Sequence, residues 1–149
     1  MKLSEFKIIR KVELHETDLG GLVHHHNYFL WMEQAEYEMF DFIEEPVIGD
    51  LDDDLRGSGW PRAEVSMKYI KPLHYGEKVE IHLKIRRIRA AAVEYETDFY
   101  RLFDDCSELV ASGTHKTICC MYDALGRKDP VIVPAGESFL SKICVYQQK

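Results

Sequence analysis

Between Asn27 and about Glu44, apolar side chains recur every three or four residues, at Tyr28, Trp31, Met32, Ala35, Met39, Phe40 and Ile43. That spacing puts them on one broad stripe of a single long helix, because 3.6 residues complete a turn. A stripe this wide cannot be covered by one neighbouring helix, so the rest of the chain must wrap it. Strand-period segments are available for the task. Phe6, Ile8, Val12 and Leu14 alternate with polar neighbours over about residues 4–15, except at Ile9 and Arg10, which predicts a first strand. Pro46 ends the helix, and Gly49 to Pro61 (GDLDDDLRGSGWP) is dense enough in Asp, Gly and Ser to read as a surface loop or one short helical turn. Four more strands follow, around Ala63/Val65/Met67/Tyr69, Val79/Ile81/Leu83/Ile85, Val93/Tyr95/Thr97/Phe99, and from Leu109 to about Met121. Lys71–Gly76 and Asp104–Ser107 supply hairpin connections, and Pro134 and Gly136 bound a C-terminal segment in which Phe139, Leu140 and Ile143 form one helical face. The expected class is α+β, one long helix against one face of an antiparallel sheet of about five strands. Such a sheet has two open edges, so pairing with a second copy is also expected.

Composition narrows the function. With 149 residues, 46% of them hydrophobic, the chain suits a single domain over residues 1–149, which buries roughly 68–70% of its unfolded surface. No apolar run approaches the roughly 20 residues of a membrane span. The N-terminal MKLSEFKIIRK lacks the apolar core and small-residue cleavage site of a secretory signal, so a cytoplasmic protein with no membrane insertion is expected. A net charge of −7 argues against the broad basic surface that nonspecific nucleic-acid or acidic-membrane binding requires. Cys106, Cys119, Cys120 and Cys144 show no C-x-x-C spacing and are read as reduced core or surface residues, not as bridges, ligands or nucleophiles.

Chemistry concentrates between Thr17 and Phe40 (TDLGGLVHHHNYFLWMEQAEYEMF). Asp18 stands where an extended segment must stop, since Gly20 and Gly21 tolerate backbone angles that a Cβ resists. The loop then feeds the helix, whose first N–H groups have no intrahelical acceptor, so a carboxylate and free amide donors are brought close together. This pairing suits hydrolysis of an activated acyl group: the carboxylate attacks or deprotonates water, and the amides meet charge building on the carbonyl oxygen. On these residues alone, a turn aspartate that merely bonds its own backbone is an equal alternative. His24, His25 and His26 are consecutive, and neighbouring side chains diverge by about 100° on a helix, so they do not converge on one ion and no metal is assigned. Asn27 fits a helix N-cap better than a substrate contact. Glu33 and Glu36 are read on the polar side of the helix, where a second catalytic carboxylate is not favoured.

Two motifs resemble those of the hot-dog-fold acyl-CoA thioesterases, in particular the 4-hydroxybenzoyl-CoA thioesterase group and the related Tol-Pal-associated thioesterases. Thr17, Asp18, Gly20, Gly21, Val23, His25 and Tyr28 are similar to the family's loop and helix start, T-D-x-G-G-x-V-x-H-x-x-Y; Tyr69 to Glu77 (YIKPLHYGE) is similar to its Y-x-x-P-x-x-x-G-[DE] hairpin. The resemblance runs nearly end to end. It implies a long central helix wrapped by a curved five-stranded antiparallel sheet, and a homodimer joined sheet edge to sheet edge, or a homotetramer, with active sites at the dimer interface. By position it makes Asp18 the catalytic carboxylate and the His25 backbone N–H the donor to the thioester carbonyl. The His25 side chain is a candidate to orient Asp18 or water, or to protonate the thiolate. Gly21, Val23, His24 and Tyr28 are candidate substrate contacts. The triple histidine and the acidic Asp50–Asp54 loop depart from the family pattern.

Coenzyme A would bring an anionic nucleotide to an acidic protein. Lys84-Ile-Arg86-Arg87-Ile-Arg89 is the one dense basic run, and its alternation slips between Ile85 and Ile88, which points to a bulge or strand end that turns Arg87 and Arg89 toward phosphates. The expectation is an acyl-CoA thioester hydrolase that uses no cofactor, coenzyme A being part of the substrate. Two competing readings are a noncatalytic acyl-CoA binding module on the same fold, and a hot-dog hydratase or dehydratase. The second is disfavoured because no H-F-P type motif is present.

Overall fold

In the computed structural model, which describes residues 1–148, the first period-two segment forms strand β1 (Glu5–Lys11) and the apolar stripe forms helix α1 (His25–Phe42). Strands β2 (Arg56–Gly59), β3 (Arg62–Tyr69), β4 (Lys78–Ile88), β5 (Ala92–Leu102), β6 (Ser107–Ile118), β7 (Cys120–Asp123) and β8 (Val131–Ile132) follow, then a short helix α2 (Glu137–Lys142). β1 ends before the expected residue 15 because Leu14–Glu16 closes into a 3-10 turn, with Leu14 exposed on it. Five strands make one antiparallel sheet in the order β1-β4-β5-β6-β3. Val79, Ile81, Leu83 and Ile85 on one face of β4 share a core with Trp31, Met32, Ala35, Met39 and Phe40 of α1. Each such side chain stabilises the fold by about 1.5–3 kcal/mol when fully buried.

Helix α1 corrects two readings. It begins at His25, so Asn27 is not the N-cap; it lies buried within the first turn, where its side-chain amide donates to the Glu16 carbonyl at 2.7 Å. Glu36 is not on the polar side. It sits four residues from both Met32 and Phe40, on the buried stripe itself, with no solvent exposure. A carboxylate there would be costly without partners; Arg62 of β3 donates to it at 2.5 Å, and the His115 ring of β6 lies 3.0 Å away.

The region read as a surface loop, Gly49 to Pro61, contains β2, which pairs with β7 in a second sheet of order β2-β7-β8. The sequence Arg-Gly-Ser-Gly carries no apolar alternation, so its strand character is set by the partner. A Cβ on Gly57 would stand 3.1 Å from the Gly49 carbonyl oxygen and 3.0 Å from Leu51; glycine is there because another backbone lies against it. The single strand expected over residues 109–121 is divided at Cys119 into β6 and β7. The bulge expected in the basic run is present, as a register shift between Ile85 and Arg87. Phe139 of α2 is buried and stacks on Phe40 at 5.0 Å, while Ile143 is buried just beyond the helix end. All four cysteines are free, with Cys119 and Cys120 buried. Among the described residues no helix is long and apolar enough to cross a membrane.

Candidate active site

Asp18 opens a tight reversal. Thr17 and Val23 face each other as an antiparallel bridge, and the Asp18 amide donates to the Leu22 carbonyl at 2.7 Å. Gly21 closes the turn at φ +78°, a conformation that a side chain makes costly. Within this loop Asp18 Oδ1 accepts from the amides of Gly20 (2.8 Å) and Leu22 (3.2 Å). The aspartate therefore does bond its own turn, but with one oxygen; Oδ2 has no protein partner among the described residues. The carboxylate is oriented and still has a lone-pair face to offer.

The helix start is equally fixed. The His24 amide and the Asn27 side chain both donate to the Glu16 carbonyl, at 2.8 and 2.7 Å. The amides of Gly20, Gly21, Leu22, Val23, His24, His26 and Asn27 each reach an acceptor. His25, first residue of α1, is the one amide in that run with no acceptor among the described residues. An oriented carboxylate and one open helix-start N–H are the pair that acyl transfer requires.

Glu16 carries much of this order, and the sequence reading passed over it. Its carboxylate is buried and accepts from both Arg10 guanidinium nitrogens (2.5 and 2.9 Å), from Trp31 Nε1 (2.7 Å) and from the Glu13 amide (2.9 Å). One side chain thus ties β1, the 3-10 turn and α1 together two residues before Asp18. The available signal was the spacing of Glu13 and Glu16, which resembles the acidic third position of a capping box.

The two motifs, separated by the 40 residues from Phe29 to Lys68, meet here. Val23 donates to the Leu73 carbonyl at 2.8 Å and Leu22 bridges to His74, so the Tyr69–Glu77 segment lies along the Asp18 loop. It is not the hairpin connection expected from sequence, because β3 pairs with β6 and β4 with β1 and β5, and the segment crosses from one side of the sheet to the other. Between them opens a cleft of about 360 Å³ whose walls include Asp18, Val23, His25, Tyr28, Tyr69 and Pro72. Arg101 supports the floor, bonding the Pro72 carbonyl (3.2 Å), Glu77 (2.9 Å) and Glu108 (2.6 Å). Burial raises the Glu77 carboxyl, but hydrogen bonds from Arg101 and His74 outweigh it and hold the group below the usual carboxylate range. Lys71, on the rim, is paired with Glu108. Burial, with a smaller contribution from Tyr69, pushes the Tyr28 phenol up to about 12, so it stays a hydrogen-bond donor at neutral pH.

Of the residues singled out from sequence, Asp18, Val23, His25 and Tyr28 share the cleft, while Gly21 shapes the turn beside it. His24 faces an adjoining depression that it shares with Asp18, Leu19 and Gly20. The three histidine rings cluster, His24 lying 4.4 Å from His25 and 4.2 Å from His26, and no group of three or more metal-binding side chains forms among the described residues. Arg87 and Arg89 are not brought to this cleft within one chain. Arg87 lies at the far end of β4 and Arg89 just beyond it, which at about 3.3 Å per residue is roughly 30 Å from the strand end that follows Glu77. There Arg87 lies 3.5 Å from Glu94, and Arg86 is held by Glu96 at 2.8 Å.

The model of one protein family, the Thioesterase-like superfamily, matches residues 12–142, which takes in both motifs and the whole main sheet except β1. The chain belongs to this superfamily. One relative in this thioesterase-like group is YneP of Bacillus subtilis (strain 168), named as an acyl-CoA thioesterase, which is 31% identical over 111 residues, covering 73% of this chain and 75% of the relative. In three dimensions the chain resembles the 4-hydroxybenzoyl-CoA thioesterase from Pseudomonas sp. strain CBS-3, with a TM-score of 0.76 at 15% identity over 93% of this chain and 99% of the other. It also resembles a 1,4-dihydroxy-2-naphthoyl-CoA thioesterase from Synechocystis, with a TM-score of 0.73 at 18% identity over 94% and 96%. The fold is the hot-dog fold of these thioesterases, as the two motifs implied.

Proposed function

We propose that Asp18 and the His25 amide hydrolyse the thioester of an acyl- or aroyl-CoA to the free acid and coenzyme A. Thioesterase activity on acyl-CoA is what the superfamily and the named relatives support. The assignment of residues rests on one observation: Asp18 and His25 line the same cleft, and Asp18 Oδ2 and the His25 N–H are both without a protein partner among the described residues. A thioester carbonyl whose oxygen accepts from His25 presents its carbon toward Asp18. The thiol leaving group has a pKa near 8.5, so expulsion needs little acid assistance and one carboxylate suffices.

Two routes use this pair. In one, an Asp18 oxygen bonds the acyl carbon, the C–S bond breaks with its electron pair going to the thiolate, and water then cleaves the mixed anhydride. In the other, Asp18 takes a proton from the attacking water and passes it to the thiolate. Rapid quench of a single turnover into hydroxylamine separates them, because only the first passes through an acyl anhydride on Asp18 that can be trapped. The His25 ring borders the cleft and is placed to orient water or protonate the thiolate. Val23 and Tyr28 contact the acyl end, with Gly21 and His24 shaping its approach.

The same reading takes residues 1–149 as one unit that works as a homodimer or homotetramer. Its support is β3, an edge strand whose Val65 and Tyr69 are about half exposed, an arrangement that invites pairing. Arg87 and Arg89 then serve as phosphate contacts supplied by a neighbouring copy, since their own cleft is out of reach.

The test is free-thiol release from a panel of benzoyl-, phenylacetyl-, short- and long-chain acyl-CoAs, with Asp18→Asn beside the native protein. Hydrolysis is expected to fall by about two to four orders of magnitude in the variant while acyl-CoA binding persists. Unchanged hydrolysis would remove Asp18 from the mechanism, and binding without turnover in the native protein would favour the noncatalytic module.

A further inference from the structure

Tyr69 ends β3, and its hydroxyl donates to the backbone carbonyl of His25 at 3.1 Å, across 44 positions of sequence. Its ring stands edge-on to Tyr28, centroids 5.3 Å apart, and both rings wall the cleft. Packing alone needs no hydroxyl there, and Tyr69 is about half exposed. The hydroxyl nevertheless reaches the residue whose amide is the open donor.

We infer that Tyr69 is a positioning residue for the His25 amide, a tether that holds the first helical turn in the direction the acyl carbonyl requires. The inference rests on the hydrolase reading above. The first turn of a helix is its loosest, because its N–H groups lack intrahelical acceptors. Here the side-chain cap is long: the His26 amide reaches His24 Nδ1 at 3.5 Å, near the limit of a hydrogen bond. Glu16 anchors His24 and Asn27 on either side. Among the described residues Tyr69 is the side chain that anchors His25 itself. A carbonyl has two lone pairs, so accepting from Tyr69 does not displace the helical hydrogen bond to the same oxygen. An oxyanion donor works through fixed direction, without reorganisation as charge builds, so a slackened tether is felt in the transition state more than in substrate binding.

Tyr69→Phe keeps the ring against Tyr28 and removes the hydroxyl. The expected result is a kcat about 10-fold lower, equivalent to about 1.4 kcal/mol, with KM within twofold and the thermal midpoint unchanged. In 15N relaxation the order parameters of the His25 and His26 amides are expected to fall from the rigid value of about 0.85 toward 0.6. An unchanged kcat, or a kcat that falls only together with a lowered thermal midpoint, overturns the positioning role and leaves the hydrolase reading standing. If the native protein releases no thiol from any acyl-CoA, the hydrolase reading fails by itself and relaxation decides the tether: lower order parameters sustain it, and unchanged ones remove it.

Discussion

Replacing Glu16 by Gln tests whether a buried charge organises the site. All four groups that reach the carboxylate are donors: two Arg10 nitrogens, Trp31 Nε1 and the Glu13 amide. Glutamine has the same shape but only one acceptor oxygen, so either amide orientation turns its NH₂ toward donors. The Arg10 side chain, 18% exposed against 6% for Glu16, loses its counter-charge in a place with little water. Breaking a fully buried pair costs about 3–5 kcal/mol; with Arg10 partly solvated and its guanidinium also lying 4.6 Å from the Trp31 ring centroid, about 2–4 kcal/mol is expected. For a chain of this size each kcal/mol lowers the thermal midpoint by about 2–4 °C, so the shift falls in the range of about 4–16 °C. Urea unfolding of Glu16→Gln, Arg10→Met and the double variant measures the free-energy cost, and thermal melts measure the shift. The double variant no longer buries an unpaired guanidinium, so its loss is expected to be smaller than the sum of the singles by about 1.5–3 kcal/mol. Additive losses, or a Glu16→Gln cost below about 0.5 kcal/mol, the level of an ordinary surface substitution, would refute the argument that a desolvated ion pair holds β1 to α1.

Two other substitutions separate backbone from charge effects. At Gly21 an added Cβ meets no atom within 4 Å, so any cost of Gly21→Ala comes from φ +78° alone; about 1–2 kcal/mol is expected, with Gly21→Asn milder because asparagine tolerates that region, and equal stability of Ala and Gly in thermal melts would contradict it. The Arg86 hydrogen bond, joined by Lys84, outweighs burial and lowers the Glu96 carboxyl from 4.5 to about 2. The folded state therefore binds fewer protons than the unfolded one, and the stability this carboxylate contributes is complete above about pH 4.5 and disappears as pH falls through about 2. Glu96→Gln is expected to cost about 1–2 kcal/mol at pH 7 and to flatten the acid limb of stability against pH; an unaltered limb would show that Glu96 is not its source.

The sequence is most legible where one residue's neighbours along the chain set its structure. The buried face of α1 follows from the three-and-four spacing of Tyr28, Trp31, Met32, Ala35, Met39 and Phe40, all of which lie in the core. The β4 bulge follows from the slipped alternation between Ile85 and Ile88. In both cases the period of the local backbone fixes which side a residue takes. Glu36 shows the limit of assigning residues by type, because its position on that period was interior even though its charge suggested otherwise. β2 shows the opposite limit: Arg-Gly-Ser-Gly becomes a strand only because β7 supplies hydrogen bonds and Tyr122 packs across Gly57 and Gly59.

At the candidate site the sequence by itself determined the parts: a carboxylate at Asp18, a turn that needs Gly21, a helix starting within two residues of Asn27, and a second motif from Tyr69 to Glu77. Tertiary structure decided how they act together. The docking of Leu22 and Val23 on Leu73 and His74, the Glu16 anchor, the Tyr69 hydroxyl on His25 and the separation of Arg87 and Arg89 from the cleft all depend on contacts between distant segments. Local periodicity records which face a residue takes, whereas the partner of a buried hydrogen bond is chosen by which elements the closed fold brings within about 3 Å of each other.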